Sequence, residues 1–273
     1  MFAAGSMRIL VFRLAVPVLL VGIVLTSCSL ADLRPDELRA GETGSQSEGR
    51  RLLELALRKR PWIAADRPLR IHVRDIWTSG LMRRFTPLSQ NDEPLLFRFS
   101  RNASAPRMEM EFRVGERKGD SLVLEGKDLF QVDGGERTRR ESTGDRIYLE
   151  SFRLYLTLPA LLRGKENVVF AGTRTIGGKH YRRVFLTNGT ASPRKEADQY
   201  LVFINDTDEI EWIAFTYREL LGSYSGALHY TDVRRTPFGF VPYSIAVTDK
   251  VGDEGFVHRF VLEAVESDGD GRE

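Results

Sequence analysis

Period-two alternation of apolar and polar residues constrains this chain more than any other feature. Phe97 and Phe99 alternate with Arg98 and Ser100 within residues 95–101, and Met108, Met110 and Phe112 alternate with Glu109, Glu111 and Arg113 within residues 107–114. Successive strand side chains point to opposite faces, so each segment reads as a strand with one dry and one wet face. Further strands are predicted over residues 69–78, 121–125, 128–133, 167–172, 180–187, 199–205, 209–217, 222–233, 240–248 and 256–265. Polar or glycine-rich turns separate many of them, among them Gly134-Gly135, Gly177-Gly178 and Asp206-Thr207-Asp208. Connections this short make antiparallel hairpins, because a parallel crossover needs about a dozen residues or more.

Two segments break the alternation. Arg50 to Arg60 carries Leu52, Leu53, Leu55, Ala56 and Leu57 and stops at Pro61, the pattern of a short helix. Its end, Arg58-Lys59-Arg60, suits a helix C-terminus and is expected to be solvated rather than to contact anionic lipid. Glu150 to Arg163 is apolar, and Phe152, Tyr155, Leu156, Pro159, Leu161 and Leu162 share one side of a helix, or of two short helices broken near Pro159. This segment is a plug or lid candidate.

The N-terminus has a different logic. Arg8 and Arg13 precede an unbroken apolar run from Leu14 to Leu25, and small residues lead to Cys28, the single cysteine of the chain. This is the layout of a secretory signal, and its apolar run is shorter than the ~20 residues that span a bilayer. Leu25-Thr26-Ser27-Cys28 resembles a bacterial lipobox. The resemblance implies cleavage before Cys28, which then carries a diacylglycerol thioether and an N-acyl chain such as palmitate. Met7 is an alternative initiator to Met1.

Residues 1–27 are therefore expected to be a signal peptide and residues 28–48 a lipidated cysteine with a flexible tether. Residues 49–266 would form one domain, and residues 267–273 a charged, disordered tail. The formal charge of +2 equals the two signal arginines, so the remaining chain is balanced. No global drive toward nucleic acid remains.

No catalytic motif stands out, and the chain is expected not to be an enzyme. His72, His180, His229 and His258 lie far apart on predicted strands, with no ligand spacing between them. The best metal arrangement would bring His229 and His258 together with Asp232 and Asp253, and structural roles are favoured instead. Asp206 and Asp208 lack the remaining ligands of a calcium loop and read as turn residues. No cofactor or metal is expected.

The second half carries a family pattern. Lys179–Leu186 precedes Gln199–Ile213, whose turn is Asp206-Thr207-Asp208, and Phe238-Gly239-Phe240-Val241-Pro242-Tyr243 opens a later strand. Together with Leu158-Pro159-Ala160-Leu161-Leu162, this resembles the LolA/LolB type of bacterial lipoprotein carrier and its lipoprotein relatives. The resemblance implies a mainly β fold with a few helices: a strongly curved antiparallel sheet forming an unclosed half-barrel, with helices in its concave face. In the carriers that concavity holds acyl chains.

The corresponding candidates here are Phe97, Phe99, Met108, Met110 and Phe112 on one sheet face, with Tyr155, Leu158 and Leu161 from the plug segment. Methionine and phenylalanine adapt well to irregular apolar ligands, although an ordinary packed core uses the same residues. The expected protein is anchored in the bacterial envelope by lipid at Cys28, on the outer membrane facing the periplasm. It would bind acyl chains or another hydrophobic ligand in lipoprotein or lipid trafficking. The alternative is a scaffold or assembly factor that binds another envelope protein.

Overall fold

A computed structural model describes residues 30–40, 44–63, 68–78, 90–101, 106–219, 222 and 224–268. The signal segment and Cys28 lie outside the described residues, as do residues 269–273 of the expected tail.

Thirteen strands form one sheet: β1 (Leu69–Thr78), β2 (Gln90–Arg101), β3 (Pro106–Phe112), β4 (Ser121–Glu125), β5 (Asp128–Asp133), β6 (Glu136–Arg139), β7 (Asn167–Ile176), β8 (Lys179–Thr187), β9 (Gln199–Asn205), β10 (Ile210–Thr216), β11 (Ser225–Thr236), β12 (Gly239–Thr248) and β13 (His258–Ser267). The order is β6-β5-β4-β3-β2-β1-β13-β12-β11-β10-β9-β8-β7, every neighbour is antiparallel, and the sheet does not close. This is the open half-barrel that the resemblance implied. Among the described residues three α-helices accompany it: α1 (Asp36–Arg39), α2 (Gln46–Lys59) and α3 (Thr143–Leu161). No helix among the described residues is long and apolar enough to cross a membrane.

The alternation in the first half has the predicted consequence. Phe97, Phe99, Met108, Met110 and Phe112 are buried on one face. On the other face Arg98 pairs with Glu109 at 2.8 Å and Glu111 at 2.7 Å, and Arg137 pairs with Glu125 at 2.6 Å. Strand β6 carries no apolar residue and every position is exposed, so no hydrophobic period announced it. It forms because Gly134 and Gly135 take φ of 54° and 90°, the left-handed values a two-residue hairpin requires.

Helix α3 carries the chain from edge strand β6 to the opposite edge strand β7. It begins seven residues before the expected Glu150, because Ser142 caps it by accepting from the Asp145 amide at 3.2 Å. It also runs unbroken through Pro159 and ends in a 3-10 turn at Leu162–Gly164, the single-helix form of the two alternatives. Proline lacks the N–H that would bond the carbonyl four residues back. That carbonyl belongs to Tyr155, and it accepts from the Tyr230 hydroxyl at 2.8 Å instead. Tyr230→Phe is therefore expected to cost ~1–3 kcal/mol, the penalty of an orphaned buried carbonyl. Urea unfolding checks this, and an unchanged midpoint would refute it.

Parts of the stretch expected to be a flexible tether are packed, while Asp36, Glu37, Arg39, Ala40, Ser45, Gln46 and Ser47 are exposed. Leu33 and Leu38 pack on the convex face, against a second apolar cluster that includes Phe185, Leu201, Phe203 and Trp212. The chain then passes edge strand β7, where the Ser45 carbonyl accepts from the Phe170 amide at 3.0 Å. This contact covers an edge that would otherwise be open to pairing. Helix α2 follows on the concave side. Its Gly49 sits so close to β7 that a Cβ would lie 2.6 Å from the Phe170 nitrogen. The basic end of α2 turns to the β9–β10 connection, where Lys59 bonds the Thr207 carbonyl and Arg60 pairs with Glu209.

Candidate functional site

The concave face is built in rows set by register. Ile71, Phe97, Met110 and Leu122 are direct cross-strand partners, as are Leu69, Phe99, Met108 and Leu124 in the next row and Val73, Leu95 and Phe112 in a third. Such neighbours on one face form a continuous apolar wall. Phe97 is 0% exposed and Phe112, the most open of the five candidates, 6%.

Helix α3 covers this wall. Phe152 stacks on Phe97 with ring centroids 3.9 Å apart, lies 6.2 Å from Phe99, and meets Phe260 edge-on at 5.1 Å. Tyr155 and Leu158 are buried in the same cluster, with Tyr155 against Phe215 at 5.4 Å. Leu161 does not join them: it is 53% exposed on the outer side of α3, while Leu158 and Leu162 beside it are buried. Seven of the eight residues proposed from sequence are thus brought together, and the eighth faces solvent.

A buried polar group on this face was not expected from the sequence. Asp75 is 3% exposed and continues the row Leu69, Ile71, Val73 on β1. Its Oδ2 accepts from the Tyr148 hydroxyl of α3 at 2.6 Å, and its Oδ1 lies 3.2 Å from His258 Nδ1. The His258 ring stacks near Trp77 and Phe260. The available signal was a carboxylate at a position where the alternation demands an apolar side chain.

The proposed meeting of His229 and His258 does not occur. His258 belongs with Asp75, while His229 stacks on Trp212 at 3.9 Å. Asp232 pairs with Arg234, and Asp253 lies 3.8 Å from Lys250. His180 bonds the Thr175 hydroxyl at 3.0 Å. Among the described residues no group of three or more His, Cys, Asp or Glu is placed to hold a metal ion.

Glu93 lies directly across from Asp75 on β2. Burial raises its pKa above the ordinary carboxylate value, and the Asp75 charge adds to the rise. Burial, then Asp75, likewise pushes the Tyr148 hydroxyl well above its ordinary value. A raised folded-state pKa gives stability that is full below the unfolded pKa and lost as pH rises through the folded one. Glu93→Gln is therefore expected to stabilise the protein at pH 7, by no more than ~1 kcal/mol because the group is partly solvated. The gain should vanish near pH 4. Melting curves at the two pH values test this, and equal gains at both would refute it.

Comparison with known proteins bears on the fold. No family model matches the chain, and no curated protein matches it. A crystal structure of a DUF1329 family protein from Desulfovibrio piger matches with a TM-score of 0.51 at 8% identity, covering 84% of this chain and 95% of that one. A putative outer membrane lipoprotein-sorting protein domain from Vibrio parahaemolyticus matches with a TM-score of 0.49 at 10% identity, covering 82% and 95%. A LolA superfamily protein from Nitrosomonas europaea matches with a TM-score of 0.48 at 12% identity, covering 80% and 93%. At 8% identity the likeness to the Desulfovibrio piger protein concerns the fold alone. The concave face thus combines a curved apolar wall, helix α3 lying against it, and a polar Asp75–Tyr148–His258 cluster.

Proposed function

We propose that this chain is an envelope lipoprotein that binds acyl chains or another hydrophobic ligand in its half-barrel, with α3 as the plug that the ligand displaces. The observation that carries this reading is the pairing of a continuous Phe/Met wall with helix α3 packed against it. The contacts of α3 with that wall are chiefly ring on ring, Phe152 against Phe97, Phe99 and Phe260. An acyl chain offers the same apolar surface, worth ~0.8 kcal/mol per buried methylene, so it competes with the helix in kind. No covalent step is involved. Lipid at Cys28 would hold the protein on its membrane, on the outer membrane facing the periplasm, and trafficking of lipoproteins or lipids is the process this suits.

Native mass spectrometry tests the proposal on the Cys28→Ser form, purified from a bacterial periplasm without detergent. Discrete added masses that disappear on organic extraction are expected. A bare-protein mass, together with acyl probes that neither bind nor shift the melting temperature, would sink it.

A second reading is favoured by one observation: the wall is already filled by the protein's own side chains, with Phe97 and Phe152 fully buried against each other. In that reading the concavity is core, and the protein is a scaffold for another envelope protein. Crosslinking in cells to a discrete protein partner, with no bound lipid, would select it.

A further inference from the structure

We infer that Ala31 to Leu38 form a strap that fixes how the domain sits on its bilayer, with the β8–β9 connection and the start of the β10–β11 connection turned toward the lipid headgroups. The inference rests on the lipid-anchor reading of Cys28 and goes beyond it.

The strap begins at once. The Ala31 amide donates to the Gly222 carbonyl at 3.1 Å, and the Arg218 guanidinium bonds the Ala31 carbonyl. The Leu33 amide donates to Gln199 Oε1 at 2.9 Å, and the same fully buried amide side chain donates to the Ala191 carbonyl at 2.9 Å. Gln199 thereby clamps the strap and the β8–β9 connection together. Asp32 accepts from Arg34 Nε at 3.1 Å and Nη2 at 2.9 Å, and Arg34 reaches Ser192 Oγ at 3.4 Å. Leu33 and Leu38 pack into the convex apolar cluster, and Arg183 lies 3.6 Å from Glu37. Backbone, side-chain and apolar contacts thus hold Ala31 to Leu38.

The span to the anchor is short. Three Cα-to-Cα steps separate Cys28 from Ala31, a reach of at most ~11 Å. A flexible tether of twenty residues would have a reach of about 25 Å and leave orientation undefined. With the strap seated, the membrane lies within those three steps of the Gly222 and Gln199 end of the sheet. That end carries exposed Arg194, Lys195 and Glu196. The turn at Asp206 is the far end, separated from Gln199 by the seven residues of β9, ~23 Å of strand. The occupant of this surface is the lipid bilayer itself, since Cys28 carries the anchor and the chain between anchor and strap is too short to turn the domain over.

The test uses the lipidated chain in phospholipid vesicles that contain a headgroup spin-labelled lipid. Lys195→Cys and Asp206→Cys each carry one fluorophore, and Cys28, the only native cysteine, is blocked by lipid. Quenching at 195 is expected to exceed that at 206 by at least about threefold, given the ~23 Å offset. Ten Gly/Ser residues inserted after Ser29 leave the strap intact and add about 17 Å of reach, so the difference should collapse. Equal quenching with native spacing, in protein that floats with the vesicles, would overturn the strap alone. Protein that does not float with the vesicles would overturn the lipid anchor instead.

Discussion

Replacing Phe152 by alanine is expected to lower the unfolding free energy by ~3–5 kcal/mol, the range for deleting a fully buried phenylalanine ring. Phe152 is 0% exposed and touches three other rings, Phe97, Phe99 and Phe260, which come from β2 and β13. Its removal leaves a void between α3 and the wall, and neither a helix nor a paired sheet relaxes freely to fill it. Urea unfolding measures the loss, and Leu161→Ala, at an exposed position of the same helix, is the control expected within about 0.5 kcal/mol of wild type. The same variant also separates the two functional readings. If a ligand must displace α3, weakening the packing of α3 reduces the cost of opening and raises apparent affinity for an acyl probe. If the concavity is only core, the variant loses stability and gains no acyl affinity. A stability loss under about 1 kcal/mol would mean that Phe152 is not the centre of the packing.

Much of this architecture was legible because half of the sheet obeys a simple rule. Strands β1, β4, β5 and β9 were bounded correctly, since alternation or apolar runs ended at glycine or charge. The failures are local and have physical causes. Strand β6 is held by its turn and its neighbour and buries nothing, so it has no hydrophobic signature. A break at Pro159 stayed open as an alternative because the sequence cannot show that Tyr230, seventy-five residues from Tyr155, bonds the carbonyl that proline leaves free. The strap looked like a tether because its composition is polar and only Leu33 and Leu38 reach the apolar cluster. A clue to its seat existed in β9, where Gln199 to Ile204 are buried without alternation. Such a run means that both faces are covered, and something had to lie on the convex one.

The concave site was legible for a related reason and incomplete for another. Phe97, Phe99, Met108, Met110 and Phe112 were found because strand periodicity assigns faces without any knowledge of partners. Asp75 was missed because its role depends on Tyr148 and His258, two residues far away in sequence. A buried carboxylate in an apolar row is a local contradiction, and such contradictions concentrate where a fold gives up stability for another purpose. The sequence offers His229 as a partner for His258, whereas the sheet brings β1 beside β13, joins the two ends of the domain and gives His258 to Asp75.

Cys28→Ser is expected to move the protein from the membrane pellet to the soluble periplasmic fraction nearly completely. The modified cysteine would carry three acyl chains, two on the diacylglycerol and one on the nitrogen. One myristoyl-sized chain gives marginal, reversible binding with a constant of about 10⁴ M⁻¹, and a second makes anchoring stable. Serine lacks the thiol that accepts the glyceryl group, so all three are lost together. The fold should not notice: the strap begins at Ala31 and its contacts with Gly222, Gln199 and Arg218 need no lipid. The melting temperature of the soluble variant should therefore match that of detergent-solubilised wild type within a few degrees, the shift that ~1 kcal/mol produces in a domain of this size. Fractionation with radiolabelled palmitate measures both arms. Wild type found soluble and unlabelled would remove the anchor, and with it the argument for a membrane-facing end. Wild type labelled but recovered at inner-membrane density would keep the anchor and move the site of action to the other membrane.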